Sequence, residues 1–160
     1  MAGVIAAASR GNPEPVIHRG VYLLGHILGD PPGMPPANAI ALDQQANADK
    51  SKRRLPLQER LALHTSVSTC AVCHAKIDPL GFAWGKFDTF GRKIEPGQGK
   101  APKVIATAGS LPDKRSFADL DEMARLLGDQ GFESRYRFND VLLHKLVSLA
   151  LGRGLDDGDA

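Results

Sequence analysis

The chain has 160 residues, 42% of them apolar, and its 20 basic and 18 acidic side chains leave a net charge of +2. That allows one modest core, and so even a balance excludes the concentrated basic face of a nucleic-acid binder. No uninterrupted apolar stretch is long enough to cross a bilayer, and Gly 17 with Pro 11 argues for long irregular connections rather than a continuous helical bundle.

Residues 1–15 show no period and end in Asn12-Pro13-Glu14-Pro15, which reads as a tail or linker. The start, Met1 to Ala8, is apolar but lacks the charged region and apolar length of a signal peptide. From Val16 to Leu28, apolar residues recur at Val21, Leu24, Ile27 and Leu28, predicting a helix of about three turns that Gly29 ends. Asp30-Pro31-Pro32-Gly33-Met34-Pro35-Pro36 follows as a strap held extended by proline. It either covers a cofactor edge or crosses the surface as a linker. Residues 43–54 are polar, and the cluster Lys50-Ser51-Lys52-Arg53-Arg54 reads as a solvated helix start or a neighbour of a bound carboxylate. Pro56 suits the first turn of a helix reaching Thr65, with Leu57, Leu61 and His64 along one side.

Next comes Cys70-Ala71-Val72-Cys73-His74, which holds the only two cysteines of the chain. This is C-x-x-C-H, the pattern that attaches a haem through two thioether bonds and gives its iron a histidine. A redox dithiol usually follows a strand, whereas the preceding stretch reads as helix and turn. A structural zinc site needs a fourth ligand that has to come from a remote histidine. A disulfide across two residues closes too small a loop to add much restraint. One covalent haem c, with Cys70 and Cys73 as attachment points and His74 as an iron ligand, is therefore the expectation. Ile77-Asp78-Pro79-Leu80-Gly81-Phe82 reads as a turn into a short helical piece. Phe82, Trp84 and Phe87 stand close enough in sequence to pack on the haem. A carbonyl at Pro79 is expected to accept the proton on His74 Nδ1, while Asp78 reads as a helix cap.

Further on, Val104-Ile105-Ala106 reads as one strand of a small hairpin and Leu111-Pro112-Asp113 as a turn. Two helices are expected, Phe117–Leu127 and Phe138–Leu151; the second carries a stripe of Phe138, Val141, Leu142, Leu146 and Leu149 interrupted by Lys145. Gly152 and Gly154 end it, before an acidic tail. The expected fold is mostly α, a c-type cytochrome-like helical domain with long Pro/Gly-rich loops and one small β-hairpin. The expected division is an N-terminal arm (1–54) with one helix and the strap, a haem domain (55–155) and a tail (156–160).

Several of these segments together resemble the paired planctomycete-type cytochrome c-like domains DUF1588 and DUF1585. The resemblance rests on Pro15-Val16-Ile17-His18-Arg19-Gly20, the proline strap, Glu59-Arg60-Leu61, His64, the Cys70–His74 motif and Ile77 to Phe82. It continues through Phe87-Asp88, Phe90-Gly91-Arg92 and Leu149-Ala150-Leu151-Gly152-Arg153. Members commonly carry Leu-Glu-Asn where this chain has Trp84-Gly85-Lys86, and a tryptophan in place of Lys93. The resemblance implies a haem protein placed in the periplasm or another extracytoplasmic compartment, as the C-terminal part of a larger secreted protein or as a separate subunit. Residue 1 then reads as a cut edge of a longer exported chain.

The second iron ligand decides between functions. Candidates are His64, Met34, Met123, His26, His18 and His144, with His64 leading by its place in the motif set; Met123 reads equally as core filling. Arg60 and Arg92 are candidates to hold haem propionates in a guanidinium fork. The leading expectation is a mono-haem c-type cytochrome that transfers single electrons to a redox protein partner or within a larger complex. The alternatives are a haem peroxidase or gas-reactive subunit with an open sixth position, and a structural or docking haem subunit.

Overall fold

A computed structural model describes residues 2–12, 14–35, 51, 55–97, 106–129 and 138–155. It is mostly helical. Helix α1 (Ala2–Ser9) leads into α2 (Val16–Tyr22), which continues as a π-helical turn at Leu23–Ile27. Then come α3 (Leu57–Thr65), α4 (Ser68–Phe82), a two-residue hairpin of β1 (Gly109–Ser110) and β2 (Ser116–Phe117), α5 (Leu120–Leu127) and α6 (Phe138–Leu151). The strands are antiparallel, with Gly109 opposite Phe117 and Ser110 opposite Ser116. Among the described residues no helix is long and apolar enough to cross a membrane.

The main structural contact is α2 against α4, and two glycines set its distance. A Cβ on Gly20 would stand 2.1 Å from the Ile77 carbonyl oxygen, and one on Gly81 would stand 2.0 Å from that of Val16. No side chain fits there; each helix presses bare backbone against its neighbour. Alanine in a helix normally gains about 1 kcal/mol over glycine, but here overpacking outweighs that gain. Gly20→Ala is expected to lose about 3 kcal/mol of stability, read as a drop in the urea midpoint. An unchanged midpoint would show that the two helices can slide apart at no cost.

Around this crossing lies one hydrophobic cluster containing Ile5, Ala8, Leu23, Leu24, Leu28, Ile77, Leu80, Trp84, Leu111, Phe117 and Met123. It draws on both sides of residue 54. Residues 2–9 are not a tail: they form α1, whose Ile5 and Ala8 are fully buried. The helix expected to run unbroken to Leu28 changes pitch, and Leu28 donates to the Leu23 carbonyl at 2.9 Å. Gly29, at φ +69°, then turns the chain, and Asp30 N–H closes on the Leu24 carbonyl at 2.9 Å. Only glycine takes that φ without strain.

Ile77 to Phe82 is not a turn but the last part of α4, with Pro79 inside the helix. Proline there removes a single bond, the one to the carbonyl of Ala75, and Ala75 is exposed, so water can replace it. The described hairpin lies at 109–117; of the strand expected at Val104-Ile105-Ala106, the first two residues lie outside the described ones. The turn at Leu111-Pro112-Asp113 joins its strands. Helix α5 starts three residues later than expected, because Asp119 caps it by accepting from the Glu122 N–H at 3.0 Å. Helix α6 has the expected ends, yet none of its residues is buried. Much of the strap (30–35) is exposed, and the tail 156–160 lies outside the described residues.

Candidate functional site

Helix α4 carries the motif in its first turns, and helical spacing decides what the motif can do. Cys70, Cys73 and His74 stand at i, i+3 and i+4, within an arc of roughly 100° on one face. The same face, continued toward the C-terminus, buries Ile77 and Gly81 against α2. The three reactive groups are thus fixed at the open end of a helix whose other end is clamped. Both thiols are free and partly exposed. Among the described residues no three His, Cys, Asp or Glu side chains converge as a cage for a metal ion.

His74 is 11% exposed, and its Nδ1 donates to Asp78 Oδ1 at 2.9 Å, one turn further along α4. The acceptor is therefore a carboxylate rather than the carbonyl expected at Pro79. The Pro79 carbonyl accepts instead from Ala83 N–H at 3.3 Å, and Asp78 is not a cap. With Nδ1 committed, the Nε2 lone pair of His74 is free to bind.

His64, on α3, is 6% exposed and sets its ring edge-on to His74 with centroids 4.7 Å apart. Its Nδ1 is buried without a hydrogen-bond partner, an arrangement that costs about 1–3 kcal/mol. Burial first, and then the neighbouring His74, push His64 below the ordinary histidine range, with Asp78 opposing. It is accordingly neutral at neutral pH, the state a ligand nitrogen needs.

The other candidates are placed elsewhere. Met123 is 1% exposed within the core, which is the core-filling role. Met34 is 94% exposed on the strap. His26 is exposed on the π-helical turn, its ring tilted against Tyr22 at 4.7 Å and its Nδ1 3.4 Å from Lys145 Nζ. His18 is half-buried on α2, and His144 is exposed on α6. Of the six, His64 is the one set against His74.

Arg60 lies one turn before His64 and is buried; it ion-pairs with Glu14, while its Nε has no partner. Arg92 is exposed, bonded through Nε to Asp88 Oδ2 at 2.7 Å and lying over the Phe90 ring at 5.2 Å. Phe82 ends α4, half-buried. Trp84 is a core residue, 5% exposed, not an open flank of the motif. Lys93 pairs with Glu95 at 3.1 Å.

Nothing in the residue pattern singles out Arg19, which the structure makes a hub. At 1% exposure it donates from Nε to Ser9 Oγ (3.0 Å), from Nη1 to the carbonyls of Trp84 and Phe87 (both 2.9 Å) and from Nη2 to that of Asp88 (2.6 Å). Burial lowers its pKa to about 10, Asp88 opposing, so it stays charged at neutral pH. It ties α1 and α2 to the segment that follows α4.

A half-exposed thiol pair on a helix clamped by glycine against α2, with His74 of that helix apposed to His64 of α3, defines a small, mostly helical protein with a C-x-x-C-H helix. The chain belongs to the PSCyt3 family, described as a protein of unknown function (DUF1588), whose profile matches residues 1–95. No curated protein and no solved structure matches it.

Proposed function

We propose that the protein is a mono-haem c-type cytochrome that passes single electrons in an extracytoplasmic compartment to a redox protein partner, within a larger assembly. The observation that carries this reading is the shared face of Cys70, Cys73 and His74 beside the buried, unpartnered Nδ1 of His64. The residues fit the group: two free thiols for thioether bonds, one imidazole with Nε2 free, and a second, neutral imidazole opposite. When bound, a haem supplies reversible one-electron chemistry at iron.

The protein's own residues do the rest. Cys70 and Cys73 hold the cofactor covalently, so it stays even if the pocket opens. His74 ligates through Nε2, and Asp78 fixes the ring by keeping the proton at Nδ1. His64, buried beside His74, would exclude water there and, as a ligand, would complete a two-histidine set. Arg60, one turn from His64 on α3 and with its Nε unpartnered beside the ion pair to Glu14, is the favoured propionate partner, and Phe82 is a candidate packing residue; Arg92 is exposed and engaged by Asp88. Membership of the family adds support for the cytochrome class.

A second reading starts from the same buried, unpartnered Nδ1 of His64. Two imidazoles on opposite sides of one metal would stand roughly 6 Å apart between centroids, given metal–nitrogen bonds of about 2 Å; His64 and His74 are 4.7 Å apart, so either role has α3 draw back. If α3 draws back further than ligation needs, His64 becomes a distal acid–base group, and the chemistry is that of a peroxidase or gas-reactive subunit.

The deciding experiment is a pyridine haemochrome assay with oxidised and reduced spectra, on protein matured with haem-attachment machinery. One c-type haem per chain, low-spin and indifferent to carbon monoxide and cyanide, is the expected result. A high-spin spectrum that shifts with those ligands selects the second reading. Cys73→Ser is expected to lose one thioether bond and move the haemochrome band to longer wavelength. A wild-type chain with no c-type haemochrome would sink both readings.

A further inference from the structure

We infer that Asp78 is a positioning residue that holds His74 as a strongly basic ligand and so depresses the midpoint potential of the site; this rests on the cytochrome reading above. The carboxylate lies 2.9 Å from His74 Nδ1, and the two side chains are only 14% and 11% exposed, so water screens the contact weakly. A hydrogen bond to an ionised acceptor is roughly twice as strong as one between neutral groups. A carboxylate at Nδ1 therefore pulls the proton harder than the backbone carbonyl that the motif led us to expect. Electron density moves to Nε2, which raises its basicity toward a bound metal and favours the ferric over the ferrous state.

The geometry is built in rather than incidental. Asp78 stands one helical turn from His74, and the turn that carries it is braced on two sides. Gly109 lies against Pro79, where an added Cβ would come within 2.9 Å of the proline Cβ. Gly20 and the backbone of Val16 press on Ile77 and Gly81. Asp78 therefore meets His74 without having to be ordered by the ligand it serves. The event it tunes is the uptake of one electron from a one-electron donor protein. The Nδ1 proton stays on His74 throughout, and no bond is made or broken.

The test compares haem-loaded wild type with Asp78→Asn, Asp78→Glu and Asp78→Leu by redox titration, with the haemochrome assay as the measure of loading. Asp78→Asn keeps the shape and an accepting oxygen but removes the charge. It is expected to raise the potential by about 59 mV, a tenfold shift in a one-electron equilibrium. Asp78→Glu is expected to return it toward wild type. In the haem-free wild type, nitrogen NMR of His74 is expected to report the Nδ1–H tautomer, which Asp78→Leu loses. An unchanged or lowered potential in loaded Asp78→Asn overturns this proposal alone, as does an Nε2–H tautomer in the wild type. Absence of c-type haemochrome from the wild type overturns the cytochrome reading, and the proposal with it. Should Asp78→Leu fail to fold, the near-isosteric Asp78→Asn still decides the matter.

Discussion

Replacing Arg19 with methionine is expected to remove about 4–6 kcal/mol of stability, a large part of the roughly 5–15 kcal/mol that folded proteins possess. The substitution keeps the side chain's bulk, so the loss comes from polar groups left behind. Three carbonyls, those of Trp84, Phe87 and Asp88, and the hydroxyl of Ser9 lose their donors together. Each buried group left without a partner costs about 1–3 kcal/mol; some of the four lie near enough to the surface for water to recover a part. Arg19→Lys is expected to fall between, since a single ammonium cannot reach in the several directions a guanidinium fork spans. Urea unfolding followed by circular dichroism measures all three proteins. A methionine variant within about 1 kcal/mol of wild type would mean that water already satisfies those carbonyls, and that the hub is only a convenient arrangement.

That hub was invisible in the sequence for a physical reason. A lone arginine on a helix normally points to solvent, and what buries Arg19 is a set of backbone carbonyls more than sixty residues away. Backbone acceptors leave no trace in residue type. Helix α1 was hidden differently: Val4, Ile5, Ala6, Ala7 and Ala8 are all apolar, so there is no alternation to give a period. Asp78 was misread because Asp-Pro usually signals a turn, whereas the clamp of Gly20 and Gly81 keeps the helix running through Pro79. Where the signal was local, it held. Pro56 marked the start of α3, and the apolar stripe gave both ends of α6. The stripe did not give burial, however: Leu142, Leu146 and Leu149 are exposed at 42%, 54% and 79%. Periodicity reports which side of a helix is apolar, not whether anything covers it. The motif itself was fully legible, since Cys70, Cys73 and His74 need only the helix they stand on. His64 could be named from the sequence but not oriented, because its contact with His74 depends on how α3 crosses α4.

His64→Phe is expected to have opposite effects on the haem-free and haem-loaded protein. In the haem-free chain the wild-type ring buries an Nδ1 that nothing satisfies. Phenylalanine fills similar space without that atom, so the variant is expected to be more stable by about 1 kcal/mol. In the loaded protein the same change would remove the second nitrogen that the proposed reading gives the iron. The spectrum is expected to turn from low-spin to high-spin, and affinity for cyanide to rise on the order of 100-fold, because an internal ligand worth about 3 kcal/mol no longer competes. A residue that costs stability where it stands and improves the molecule only when a cofactor arrives is hard to explain as packing. If the loaded variant instead stays low-spin, another side chain ligates; exposed Met34 on the strap then becomes the first to substitute. If the wild type is already high-spin and His64→Phe leaves it so, His64 stands off from the metal. The residue then belongs to the distal acid–base role, and the loss to measure is peroxide turnover.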